Sequence, residues 1–198
     1  RVGDFPSILF PLGHMTKDEV RQKARKAGLH TAQRAESQDI CFVPGGDYGR
    51  VFSERGHQVA SGDIVDLQGR ILGRHRGVIY YTIGQRGGLG ISARAPLYVV
   101  AIDAAANRLI VGGKDEVLAR EMIAGDLNLI VDPFPSRAEA KIRYRKKQAA
   151  CSMFREGDTL RIVFDQDQEA ITPGQAVVFY GGDVVLGGGV IEQVIRTA

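Results

Sequence analysis

Apolar residues recur with a helical period only near the start of the chain; from Asp63 onward they come in short runs broken by turns. Thr16-Lys17-Asp18-Glu19 reads as a capping box, with Thr16 covering a free amide of the first turn and Glu19 reaching back. Val20, Ala24 and Ala27 then fall on one face, Arg21, Lys23, Arg25 and Lys26 on the rest, and Gly28 supplies a left-handed stop. The spacing predicts a small docking helix over about 16–28 with a basic outer face. A second short helix is predicted over Tyr48 to Arg55.

The remaining text is that of β-strands. Asp63 to Leu67, the Gln68-Gly69 turn and Arg70 to Gly73 read as a hairpin, and Leu97 to Ile102 pairs with Arg108 to Val111 across Asp103 to Asn107. Six runs follow at near-regular spacing: Met122 to Ile130, Ala138 to Arg145, Ala150 to Phe154, Thr159 to Phe164, Ala176 to Tyr180 and Val184 to Ile195. Closing six short strands into a barrel removes the exposed edges they would otherwise present. The predicted class is α+β and mainly β: a helical part over 1–47, a small, mostly antiparallel central domain over 48–116, and a six-stranded antiparallel β-barrel over 117–198.

A chain of 198 residues, 44% hydrophobic and 25% charged, sustains one or two domains with a sizeable core. Two cysteines, Cys41 and Cys151, offer neither a disulfide framework nor a paired metal site, and this usage fits a reducing cytoplasm. No run of about 18 apolar residues and no signal-peptide order occurs, so neither membrane nor export is implied. The four histidines and the acids fall into no metal spacing. The net charge of +3 is uneven: Lys141, Arg143, Arg145, Lys146 and Lys147 cluster with no acid among them, on an otherwise slightly acidic body. Such a footprint suits a polyanion, although a solvated strand face explains it as well.

Strand alternation would put Lys141, Arg143 and Arg145 on one face, about 7 Å apart, and Ile142 with Tyr144 on the other. The glycine-rich Gly84-Gln85-Arg86-Gly87-Gly88-Leu89-Gly90 is neither a Walker sequence nor a dinucleotide fingerprint, and reads as a plain turn or as an Arg86-bearing loop against an RNA backbone. Cys151 alternates with Met153 and reads as a small buried hydrophobe. Cys41 lies between apolar Ile40 and Phe42 at the edge of Pro44-Gly45-Gly46, a setting open to both core filler and nucleophile.

Five segments in order, Phe10-Pro11-Leu12-Gly13-His14-Met15-Thr16-Lys17, Glu36-Ser37-Gln38-Asp39-Ile40-Cys41-Phe42, Tyr80-Tyr81-Thr82-Ile83-Gly84-Gln85-Arg86, Lys141-Ile142-Arg143-Tyr144-Arg145 and Thr172-Pro173-Gly174-Gln175, resemble the tRNA-specific 2-thiouridylases of the MnmA/TrmU family. The resemblance runs from Phe10 to Gln193 and corresponds to the later half of such an enzyme; the leader Arg1 to Ser7 departs from the family pattern. It implies a fragment whose full-length form binds ATP with Mg in a PP-loop domain, adenylates C2 of the wobble uridine of tRNA and delivers persulfide sulfur there. The resemblance implies that Cys41 receives sulfur as a persulfide, or closes a transient disulfide with a second cysteine outside this chain as sulfur is delivered to the base. Lys141, Arg143, Tyr144, Arg145 and Gln175 are then tRNA contacts. The barrel would resemble the second domain of elongation factor Tu.

The partners so implied are a tRNA with a wobble uridine and a sulfur-relay or cysteine desulfurase donor. No cofactor is expected in this portion, which would be inactive alone, and its Cys41 loop would be poorly ordered, leaving Ile40 and Phe42 exposed for self-association. The rival reading is a stand-alone, non-catalytic RNA-binding barrel protein. A tRNA methyltransferase is a third, without the glycine-rich turn between strand and helix that would bind its methyl donor.

Overall fold

The computed structural model describes residues 7–33, 43, 48–54, 56, 59–144 and 146–196. The chain divides into two compact units, Arg1–Asp47 and Tyr48–Ala198. Cys41 with its loop, and Arg145, lie outside the described residues.

In the first unit, helix α1 (Lys17–Lys26) starts on the expected capping box. Thr16 N–H donates to Glu19 Oε2 at 2.7 Å, and Glu19 N–H donates to Thr16 Oγ1 at 3.4 Å. Asp18 and Glu19 sit at the positive end of the helix dipole and Lys23, Arg25 and Lys26 at the negative end. No α1 residue is fully buried, so caps and charge order account for the helix more than core packing does. Gly28, at φ +66°, ends it as predicted.

The second unit opens with α2 (Tyr48–Glu54), followed by strands β1 (Gly62–Val65), β2 (Ile71–His75), β3 (Tyr98–Asp103) and β4 (Arg108–Gly112). Both predicted pairings form, and Asp66 closes the first by accepting from the Gln68 and Arg70 amides. The sheet order is β2-β1-β4-β3, so the hairpins are joined by a parallel β1–β4 ladder that local pairing rules did not foresee. Buried His75 locks this join: Nδ1 accepts from Gly77 N–H at 3.0 Å, which leaves the Nε2 proton for the Asn107 carbonyl at 3.0 Å.

The barrel consists of β5 (Leu118–Leu129), β6 (Arg137–Lys141), β7 (Ala149–Glu156), β8 (Thr159–Glu169), β9 (Ala176–Gly181) and β10 (Val184–Ile195). It closes in the order β10-β5-β8-β7-β6-β9, with every neighbouring pair antiparallel. Alternate residues fill it: Cys151 and Met153 from β7, Leu160, Ile162 and Phe164 from β8, Val177 and Phe179 from β9. One strand is shorter than its pattern. The predicted run to Arg145 stops at Lys141, and beyond it Ile142 is buried at 4% exposure while Tyr144 stands at 92%. The single alternating face expected for Ile142 and Tyr144 is therefore absent.

Closure depends on close approach at β10, where a Cβ on Gly188 would lie 2.6 Å from the Val177 carbonyl oxygen and one on Gly189 2.7 Å from that of Gly125. Gly188→Val is expected to lower unfolding stability by about 1–3 kcal/mol, the usual cost of overpacking. Gly87→Ala, with nothing within 4 Å of the added methyl, should melt like the parent chain. Thermal melts of the two variants check this, and an unshifted Gly188→Val melt would contradict it.

Candidate nucleic-acid interface

Two turns with the same Thr-x-Gly-Gln sequence meet where the sheet abuts the barrel. In Thr82-Ile83-Gly84-Gln85 the Gln85 amide donates to Thr82 O at 2.9 Å; in Thr172-Pro173-Gly174-Gln175 the Gln175 amide donates to Thr172 O at 3.3 Å. Gly84 and Gly174 take φ of +85° and +83°, the left-handed third position of a type II turn. Each turn then bonds one strand residue identically: Gly84 N–H to Val99 O and Val99 N–H to Gln85 O, Gly174 N–H to Ile191 O and Ile191 N–H to Gln175 O. The repeat was legible as two Thr-x-Gly-Gln tetrapeptides, a signal the motif reading passed over.

The first turn is braced from both sides. Tyr81, just before it, packs edge-on against His75 at 5.9 Å between ring centroids. The Gln85 side chain accepts from Thr82 N–H and donates to Gly87 O, so it is used up within its own loop. Between the two turns lies a groove of about 400 Å³, lined by Tyr81, Thr82, Ile83, Ile102, Pro173 and Gln175 among others. A second hollow of about 430 Å³ runs along the next loop, with Arg86 and Arg94 exposed on it.

The predicted basic strand contributes to this place in a different form. Arg143 leaves the ladder and is half-buried: its Nη2 donates to Ile83 O and to Thr172 Oγ1, both at 2.9 Å, while the buried Nε has no partner among the described residues. Neighbouring Tyr144 is almost wholly exposed, with the Lys141 ammonium 5.9 Å from its ring centroid. Lys146 pairs with Glu169 at 2.7 Å, and Lys147 is exposed. That pairing first, and the Arg143 charge last, hold the Glu169 carboxyl below its ordinary pKa. Gln175 is half-buried on the groove. The structure thus brings Arg143 onto the two turns, one of which carries Gln175, and sets Lys141 beside Tyr144; sequence reasoning missed Ile83 and Thr172 as the partners of Arg143.

Among the described residues no group of three His, Cys, Asp or Glu side chains could hold a metal, and no helix is long and apolar enough to cross a membrane. Cys151 is fully buried in the barrel, where its thiol lies 3.5 Å from Ala138 O and desolvation pushes its pKa up to about 11.

Three family models match in succession: "tRNA methyl transferase HUP domain" over 3–45, "tRNA methyl transferase PRC-barrel domain" over 51–113, and "Aminomethyltransferase beta-barrel domain" over 119–191, the last on the closed barrel. Among curated proteins, the chain is 53% identical over 191 residues to the "tRNA-specific 2-thiouridylase MnmA 1" of Syntrophus aciditrophicus, covering 96% of this chain and 51% of that protein. The chain belongs to the MnmA/TrmU family. Further MnmA relatives in Acetivibrio thermocellus and Chlorobium chlorochromatii are each 48% identical, covering 93% and 96% of this chain and 53% and 55% of those proteins. The chain spans about half the length of the MnmA proteins it matches.

The environment of Cys151 is that of an inert thiol, unsuited to carrying sulfur. In the native chain at about pH 8, Cys151 should resist alkylation and should react once denaturant is added, as read by peptide mass mapping. Its folded pKa is raised from 9.0 to about 11, so the linked stability is fully present below pH 9 and lost as pH rises toward 11. Rapid native alkylation of Cys151 would contradict this account.

Proposed function

We propose that the chain is the tRNA-gripping portion of a tRNA 2-thiouridylase, and that the full-length protein is a tRNA-uridine 2-sulfurtransferase. The observation that carries this reading is the 53% identity, across 96% of the chain, to a protein named a tRNA-specific 2-thiouridylase. The surface geometry supports it. An exposed aromatic ring with a cation beside it, and a side-chain amide on a groove, are parts that hold a single-stranded or splayed nucleotide: the ring stacks a base, the cation meets a phosphate, the amide meets a base edge.

In this reading Cys41 carries the sulfur as a persulfide, loaded by a relay protein or a cysteine desulfurase in the cytoplasm. ATP with Mg would be held by a PP-loop domain of the longer protein; the C2 oxygen of the wobble uridine bonds to the α-phosphate, and pyrophosphate leaves, giving the adenylate. The terminal persulfide sulfur bonds to C2, and AMP departs with the former C2 oxygen. A second cysteine then attacks Cys41 Sγ, the S–S bond breaks with its electrons going to the sulfur on C2, and a Cys41 disulfide forms. A cellular thiol must reduce that disulfide before another turnover. The chain by itself, without the ATP-binding domain, is proposed to be inactive in thiolation.

Cys41→Ser in the full-length protein is expected to abolish 2-thiouridine formation, measured by nucleoside mass spectrometry, while leaving tRNA binding intact; normal thiolation would sink the sulfur-carrier role. Removing the Tyr144 ring (Tyr144→Ala) should weaken tRNA binding by about 1–3 kcal/mol, the usual worth of a stacked base. Lys141→Ala should reduce the slope of log affinity against log salt by about one, as for one lost phosphate contact. Unchanged binding in both variants would favour the rival, a protein using this barrel for something other than tRNA.

A further inference from the structure

Arg143, expected at a phosphate, directs its guanidinium into the protein. Both acceptors of Nη2 are neutral, and they belong to different subdomains: Ile83 O lies in the sheet's Thr-x-Gly-Gln turn and Thr172 Oγ1 in the barrel's. Thr172 Oγ1 passes the chain on by donating to Ala170 O at 2.9 Å. Ala170 is itself buried at φ +55° and donates its N–H to Val117 O, which fixes the loop leading into the second turn. The first turn lies close against the loop that leads into the second: a Cβ on Gly84 would sit 2.6 Å from the Ala170 Cβ and 3.9 Å from both terminal nitrogens of Arg143. Nε is buried without a partner among the described residues, so among them the side-chain hydrogen bonds of Arg143 are the two made by Nη2.

We propose that Arg143 is a positioning residue that locks the two Thr-x-Gly-Gln turns together, and so sets the groove between them and the placement of Gln175 and Tyr144 for RNA. It does so without neutralising a phosphate. The backbone supports this division of labour, because Lys146 N–H donates to Arg143 O at 3.2 Å and closes the bend that turns Tyr144 outward. The role in RNA binding rests on the reading above; the lock between the turns does not.

The test therefore has two arms. Without RNA, amide exchange of the whole chain should show the 82–85 and 172–175 segments exchanging faster together in Arg143→Ala, with the β7 and β8 core unchanged. Arg143→Lys, able to reach one acceptor, should fall between parent and Arg143→Ala. Unchanged exchange in both segments would overturn the lock. With tRNA, Arg143→Ala should weaken binding roughly tenfold at every salt concentration, the scale of one lost charge-assisted hydrogen bond. The salt slope should stay that of the parent.

Arg143→Ala combined with Gln175→Ala should then bind no worse than Arg143→Ala alone, because the first change already misplaces Gln175. A slope reduced by about one in Arg143→Ala would make it a phosphate contact and overturn the proposal. Additive losses in the double variant would do the same. If Lys141→Ala and Tyr144→Ala leave tRNA binding untouched while the exchange result holds, the RNA reading fails and the lock stands.

Discussion

The half-buried guanidinium of Arg143, shared between a carbonyl of the sheet and a hydroxyl of the barrel, ties the two at the candidate surface. Burying a cation is costly unless its donors find acceptors, and hydrogen bonds to a charged group are worth about 1.5–3 kcal/mol each. The hydrogen-bond acceptors of Arg143 are neutral, and its charge is felt by the nearby Glu169 carboxyl, whose pKa it helps to lower. Arg196, just past β10, makes a second tie of the same kind to Val100 O at 3.2 Å, so both arginines reach from the barrel to sheet carbonyls.

The rest of the architecture serves that junction. The closed barrel supplies a stiff frame whose glycines let β10 lie close against β5 and β9. Ending β6 at Lys141 frees the next residues to turn: Ile142 packs inward, Arg143 spans the junction and Tyr144 projects out. On the sheet side, His75 fixes the join of the two hairpins and braces Tyr81 beside the first turn. Lys141 ends a barrel strand, while Tyr144 and Gln175 sit on a bend and a turn that backbone hydrogen bonds close.

Much of this was legible because it is local. The Thr16–Glu19 capping box, the Gly28 stop, the Asp66 turn and the six barrel strands each follow from neighbouring residues and their period. What was not legible is long-range. The parallel β1–β4 ladder joins segments that no turn connects, and nothing in either strand specifies its partner. Lys141-Ile142-Arg143-Tyr144-Arg145 alternates as well as any strand, yet the side-chain bonds of Arg143 to Ile83 and Thr172 accompany an early end to the ladder. Cys41 and Arg145, two residues the sequence singled out, lie outside the described structure, so their roles rest on family resemblance alone.

The central claim is that the sheet–barrel junction is where the chain holds tRNA. Ultraviolet cross-linking of the chain to unmodified tRNA, with the attached peptides mapped by mass spectrometry, tests it most directly. The account predicts cross-links at Tyr144 and in the peptide carrying 172–175. Cross-links confined to strand faces remote from the two turns, with neither of those peptides labelled, would contradict it.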